Sequence, residues 1–145
     1  DPRCVASCVI VSGLIHSLVY TSSPLTYVQI KDIACRYDER IDSFIELSKN
    51  NDIRTLALQD EDTMGYTLKA LAAGLWAYWH ANTFEEGLLS VVRAGGDADT
   101  NAAVACAILG AKFGFNAIPR VYVDGLQNSQ KLDSVVHGIM ELYES

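Results

Sequence analysis

The residues best placed to do chemistry are Gly95-Gly96-Asp97-Ala98-Asp99-Thr100. Two glycines free the backbone. Two carboxylates and a hydroxyl then follow at a predicted helix start. Hard oxygen donors packed this closely suit Mg²⁺, Ca²⁺ or Mn²⁺. The glycines let the loop turn sharply, and Gly96 lets a ligand come close. Asn101 stands directly behind, where its amide is a candidate ligand contact. The competing account is ordinary capping, with Asp97 or Asp99 accepting from the free amides of the following helix. A cap needs only one Asp, however. A polar loop leading into a helix of small apolar residues at the protein centre needs stronger partners, such as a metal ion.

The elements that must hold this loop read as helices. Asp1-Pro2 opens the first, with Asp as cap and Pro at the first turn. Cys4, Cys8, Val11, Ile15, Leu18 and Val19 form its stripe, and Ile10 and Leu14 make the other side apolar too. A helix apolar nearly all round belongs inside a larger bundle. Thr21-Ser22-Ser23-Pro24 stops it. A second helix is expected from Tyr27 to Ser48, with Ile30, Ile33, Ala34, Ile41, Phe44, Ile45 and Leu47 inward. The stretch from Ile53 to Leu58 is a connector, and Asp60-Glu61-Asp62 a charged loop. A third helix spans Thr67 to His80, its apolar face carrying Leu68, Leu71, Ala72, Leu75, Trp76 and Trp79. Asn82-Thr83 caps a fourth, with Glu85 and Glu86 in its first turn and Gly95-Gly96 at its end. The fifth runs from Asp99 to Phe113, and its Ala102, Ala103, Ala107, Gly110 and Ala111 allow close approach of neighbours. Ile118-Pro119 marks a turn, Val121 to Val123 a short extended piece, and Ser129 to Tyr143 a last helix. No repeat, linker or low-complexity tract interrupts residues 1–145. The expectation is a single all-α domain, a compact helical bundle with short loops.

Composition narrows the function. Half of the residues are hydrophobic and 20% are charged, so a packed globular core is expected. Eleven basic against eighteen acidic residues leave a net charge of −7. That excludes a general nucleic-acid surface, which needs clustered Lys and Arg. The apolar run Val5 to Tyr20 is interrupted by serines and His16 and is shorter than a membrane span requires, so no membrane partner is expected. Cys4, Cys8, Cys35 and Cys106 form no Cys-x-x-Cys pair and no zinc pattern with His. They read as buried free thiols in a reducing, cytoplasmic setting. His16, His80 and His137 are scattered, and His16 reads as a core histidine.

Taken together, the loop from Gly95 to Ala103, running into Gly110 and Ile118-Pro119, resembles the C-terminal signature of the ADP-ribosylglycohydrolases. Asp1-Pro2-Arg3-Cys4-Val5-Ala6 resembles that family's mid-chain helix start. Met64-Gly65-Tyr66 with Leu71-Ala72-Ala73-Gly74-Leu75-Trp76-Ala77 resembles its Gly-Tyr helix, and Thr83-Phe84-Glu85-Glu86 the short helix ahead of the metal loop. The resemblance implies the all-α bundle of that family. It implies two Mg²⁺ ions, with Asp97, Asp99 and Thr100 as ligands and Asp99 bridging. It implies that Tyr66, beside Gly65, lines the ADP-ribose pocket. The implied reaction is water attack on the anomeric carbon of ADP-ribose, releasing an amino-acid side chain or another group, through an oxocarbenium-like transition state.

The resemblance also implies a second ligand set, a Thr-Asp-Asp cluster, together with a catalytic acid and a His, all upstream of the present Asp1. No such cluster precedes the loop here, so no catalytic acid is assigned within this chain. Asp1 opens without a methionine, and the expectation is a processed or truncated chain. Its partners are then ADP-ribose or an ADP-ribosylated substrate, plus an N-terminal half of the same protein or another copy to cover the apolar first helix. A binding module without turnover and a purely structural helical domain are the other readings.

Overall fold

The computed structural model describes residues 1–21 and 23–144 and contains eight α-helices and two short 3₁₀ turns, with no strand among the described residues. Helix α1 (Pro2–Tyr20) starts as the sequence indicates. The Asp1 carboxylate accepts from the Arg3 amide at 2.9 Å, and Pro2 occupies the first turn. Of its stop signal, Ser22 lies outside the described residues. The buried stripe of α1 is Ala6, Ile10, Leu14 and Ser17. This differs from the expected stripe: Cys4, Cys8 and Val19 are exposed, while Val11, Ile15 and Leu18 are half-buried. A helix apolar on every side has no preferred face of its own. Packing against α2, α4 and α6 chose one.

The expected helix from Tyr27 to Ser48 is two helices, α2 (Tyr27–Cys35) and α3 (Ile41–Ser48). The amides of Tyr37 and Asp38 both return to the Ala34 carbonyl, at 3.0 and 3.1 Å. The Asp38 carboxylate then accepts from the Arg40 amide at 2.9 Å and pairs with its guanidinium. An Asp side chain that bonds the backbone two residues on competes with the helix ladder, and here it wins. The corner lets Ile30, Ala34, Ile41 and Ile45 all enter one cluster, while Leu47 turns outward. A 3₁₀ turn (Ile53–Leu56) follows, and Asp60, Glu61 and Asp62 form the exposed loop expected of them.

Helix α4 (Thr67–His80) has the predicted bounds and is the centre of the fold. Every residue from Leu68 to Ala77 is buried, so it has no outward face along that stretch. One side joins α1, α2 and α3 through Leu68, Leu71 and Leu75, and the other joins α5 and α6 through Ala72, Ala73, Trp76 and Ala77. A Cβ at Gly74 would meet the side chains of Ile108 and Val104 at 3.0 Å, which is how closely α6 lies against it. The Trp76 indole donates to the Asn50 carbonyl at 2.9 Å. Trp79 sits at the boundary, its ring 4.6 Å from the Lys49 ammonium.

Helix α5 (Phe84–Arg93) is capped by Thr83, whose hydroxyl accepts from the Glu86 amide at 3.1 Å. Helix α6 (Ala98–Phe113) buries Ala102, Ala105, Ile108 and Leu109. Ala103 and Ala107 are exposed, so only part of its small-residue surface serves close packing. Lys112 donates to the carbonyls of Tyr78 and Ala81 at 2.8 and 2.9 Å, tying the end of α6 to the end of α4. Residues expected to be extended, Val121 to Val123, lie in α7 (Arg120–Asp124), because the Pro119 carbonyl accepts from the Tyr122 amide at 2.9 Å and starts a turn of helix. Helix α8 (Ser129–Glu144) agrees with expectation, and its apolar stripe, Leu132, Val135, Val136, Ile139 and Met140, is at least half exposed.

Three further expectations change. Cys4, Cys8 and Cys35 are exposed and Cys106 half-buried, all as free thiols; the rotated stripe of α1 explains the first two. His16 is exposed on the same outer face, its ring 5.1 Å from that of Tyr20. The apolar run Val5 to Tyr20 is part of the longer helix Pro2–Tyr20, which, against the expectation, is long and apolar enough to cross a membrane by length and composition. Core helices meet the same description, and Ala6, Ile10 and Leu14 of α1 are wholly buried in the bundle.

Candidate functional site

The acidic loop joins α5 to α6. Gly95 and Gly96 are both left-handed, with φ of 77° and 70°, a pair of conformations that side chains rarely adopt. Gly96 is needed for a second reason. A Cβ there would lie 2.0 Å from the Leu58 carbonyl oxygen. The expected close approach at Gly96 is therefore made by the protein's own strand of backbone, residues 57–60, which passes directly against the loop.

Asp97 occupies the N-cap position of α6 but makes no capping bond with its side chain. The capping account thus fails for Asp97, whose half-buried carboxylate remains available. Its Oδ2 lies 3.7 Å from where a Cβ on Gly65 would stand. Asp99 sits one residue into α6 and is exposed. A hydrogen bond with the Asp97 carboxyl, then the amides of Thr100 and Asp99 itself, hold its pKa below the ordinary carboxylate value.

Met64, Gly65, Gly96, Asp97 and Asp99 line one open cleft of about 340 Å³. The fold therefore brings together Gly65, Gly96, Asp97 and Asp99, from two loops far apart in the chain. Thr100 is exposed on the same first turn of α6, beside the cleft lining. Asn101 is 3% exposed and is not among the residues that line the cleft; its backbone amide donates to the Asp97 carbonyl at 2.9 Å, the first ladder bond of α6. Tyr66 is engaged elsewhere. Its hydroxyl accepts from Arg3 at 2.9 Å, the guanidinium carbon lies 5.5 Å from its ring centroid, and Phe44 packs edge-on at 5.6 Å. It braces the start of α4 against the start of α1, and its hydroxyl is not left to water. No group of three or more His, Cys, Asp or Glu side chains among the described residues is arranged to hold a metal ion. Two carboxylates and a hydroxyl nonetheless fit Mg²⁺, which commonly takes one or two carboxylates and completes its shell with water and substrate oxygens.

A family model described as ADP-ribosylglycohydrolase matches residues 1–145, the whole chain. The chain belongs to the ADP-ribosylglycohydrolase family. It is 32% identical over 71 residues to the ADP-ribosylarginine hydrolase Tri1 of Serratia proteamaculans, covering 49% of this chain and 19% of that protein. It is 31% identical over 77 residues to Tri1 of Pseudomonas putida, covering 53% of this chain and 21% of that one. An uncharacterized protein of Archaeoglobus fulgidus is 39% identical over 77 residues, covering 53% and 25%. The matched segment thus spans a quarter or less of these relatives. No solved structure matches the chain.

Sequence reasoning gave no site role to three residues around the loop: Met64, named only within the Gly-Tyr motif, Leu58 and Lys69. Leu58 carries no signal in a single sequence. Lys69 does, as a lone charge inside the apolar run Leu68 to Ala77.

Proposed function

We propose that this chain supplies the metal-binding half of an ADP-ribosylglycohydrolase site, which cleaves the glycosidic bond between ADP-ribose and an acceptor. The observation that carries the reading is the Asp97 carboxylate, which leaves its helix uncapped and lines one cleft together with Asp99 and Gly65. A side chain at an N-cap position that leaves the cap unmade forgoes about 1 kcal/mol of helix stability. That cost is reasonable where the carboxylate has another task. Asp97, Asp99 and the Thr100 hydroxyl would hold Mg²⁺, which when bound supplies charge stabilisation and alignment of substrate oxygens; Mn²⁺ and Ca²⁺ share its preference for such donors. Gly65 leaves room beside Asp97 for a ligand oxygen. The acid that protonates the leaving group is not assigned to a residue of this chain. Two relatives carry the name ADP-ribosylarginine hydrolase, which supports the N-glycosidic bond to arginine as the first linkage to test. The exposed thiols Cys4, Cys8 and Cys35 suit a reducing, cytoplasmic setting.

Calorimetric titration of ADP-ribose, with Mg²⁺ and again with EDTA, tests the reading. Binding that needs Mg²⁺ and disappears in Asp99→Asn is expected. Binding indifferent to Mg²⁺, or unchanged in Asp99→Asn, would overturn it. The exposed apolar surfaces of α1 and α8 further suggest a covering partner, either an N-terminal portion of the same protein or a second copy. Sedimentation as a 15.8 kDa monomer that binds no hydrophobic dye would count against that.

A further inference from the structure

Lys69 is 7% exposed, in the first turns of a helix whose next eight residues are all buried. An ammonium group withdrawn from water to that degree is costly unless it is well partnered. Its Nζ donates to the carbonyl of Ala57 and lies 3.8 Å from the Asp60 carboxylate. Ala57 is one of two non-glycine residues with positive φ among those described, at 46°. An alanine in the left-handed region is disfavoured by roughly 1 kcal/mol or more. Such a conformation persists only where its surroundings hold it. Here the surroundings include the Lys69 ammonium on its carbonyl. The next residue, Leu58, is 1% exposed, and its own carbonyl is the group against which Gly96 is packed. Gln59 follows, with its Cβ 3.6 Å from where a Cβ on Gly95 would stand. One buried cation therefore fixes the segment on which the whole glycine turn rests, and Asp97 and Asp99 leave directly from that turn.

We infer that Lys69 is a positioning residue for the acidic loop: by holding the Ala57 carbonyl and the Asp60 carboxylate it sets residues 57–60 against Gly95 and Gly96, and so sets the spacing of Asp97 and Asp99. It touches neither carboxylate itself. The role rests on the proposed metal reading for its purpose, but its structural content is separate and is read separately.

The test uses Mn²⁺ alone as the probe, with Lys69→Met and Lys69→Arg in the 145-residue chain. Outer residues that orient metal ligands typically change affinity by about 10- to 100-fold when removed, and a loss in that range is expected for Lys69→Met. Lys69→Arg keeps a cation and donors on a long stem and recovers much of it. Amide spectra without metal give the second readout. Resonances of Gly95, Gly96 and Asp97 shift in Lys69→Met, while those of Ala34 and Ile45, in the other core cluster, stay in place. Equal shifts in both regions, or none in the loop, would overturn the inference. Should Lys69→Met not fold, hydrogen exchange of the wild-type chain decides. Amides of residues 57–60 and 95–97 then open with a common free energy, and independent opening would overturn the coupling. Failure of the wild type to bind Mn²⁺ would sink the metal reading alone, because the amide readouts do not depend on it.

Discussion

Helices α4 and α8 carry the same kind of sequence pattern and have opposite environments. Both show apolar residues at spacings of three and four. In α4 the buried residues between the stripe positions are Ala70, Ala73, Gly74 and Ala77, small enough for neighbours to close in, and Lys69, whose ammonium is bonded to the Ala57 carbonyl. In α8 they are Gln130, Lys131, Asp133, Ser134, His137 and Glu141, which must stay wet, and its stripe from Leu132 to Met140 is at least half exposed. Periodicity announces that a helix has a face. The size of the residues off that face decides whether the helix can sit at the centre, and the centre is what holds the acidic loop.

Substitution of matched positions should expose the difference most strongly. Leu75→Ala, at a wholly buried site, is expected to cost about 2–5 kcal/mol in urea unfolding. Ile139→Ala, at 61% exposure, should cost within about 0.5 kcal/mol. Comparable losses would mean that α8 packs on something in solution. A smaller contrast is expected between glycines. Gly96→Ala places a methyl on the Leu58 carbonyl at a positive φ and should destabilise by about 1–3 kcal/mol. Gly110→Ala, in α6 with no atom within 4 Å of the added methyl, should stabilise by about 0.4–1 kcal/mol.

The starts of the two helices that the loop joins sharpen the comparison further. Thr83 caps α5, and Thr83→Ala should cost about 1 kcal/mol. Asp97 caps nothing, so Asp97→Asn should leave thermal stability in EDTA within about 0.5 kcal/mol of wild type. It should, however, abolish any rise in melting temperature on adding Mg²⁺, since only a ligand that binds the native state produces one. The smallest effect belongs to the corner between α2 and α3. The Arg40 guanidinium, then the Arg40 amide, lowers the Asp38 pKa to about 2. A carboxylate whose folded pKa lies below its unfolded value contributes stability above that unfolded value, about 3.9 for Asp. The contribution is lost as pH falls from about 4 toward 2. Melting temperatures across that range should fall less steeply in Asp38→Asn than in wild type.

Much of the site was legible in the residues themselves. The carboxylates, the glycines ahead of them and the Gly-Tyr start of α4 are fixed by residue type and local order, and the fold gathers Gly65, Gly96, Asp97 and Asp99 on one cleft. The bounds of α4 were likewise readable, because the apolar face from Leu68 to Trp79 keeps a helical spacing and Asn82-Thr83 signals the next helix start. Less readable was the corner at Asp38, where one side chain outcompetes a helix that periodicity alone would continue.

The sequence by itself determined an all-α chain, the order of its helices and a glycine-led loop carrying two carboxylates at a helix start, since helix propensity, caps and residue type act over a few residues. Tertiary structure alone decided which face of α1 is buried and that Tyr66 braces Arg3. It also decided that Gly96 is required by the Leu58 carbonyl and that Lys69 underpins the loop. Each of these depends on contact between segments far apart in the chain, and the local pattern around any one of them is compatible with several partners until packing selects one.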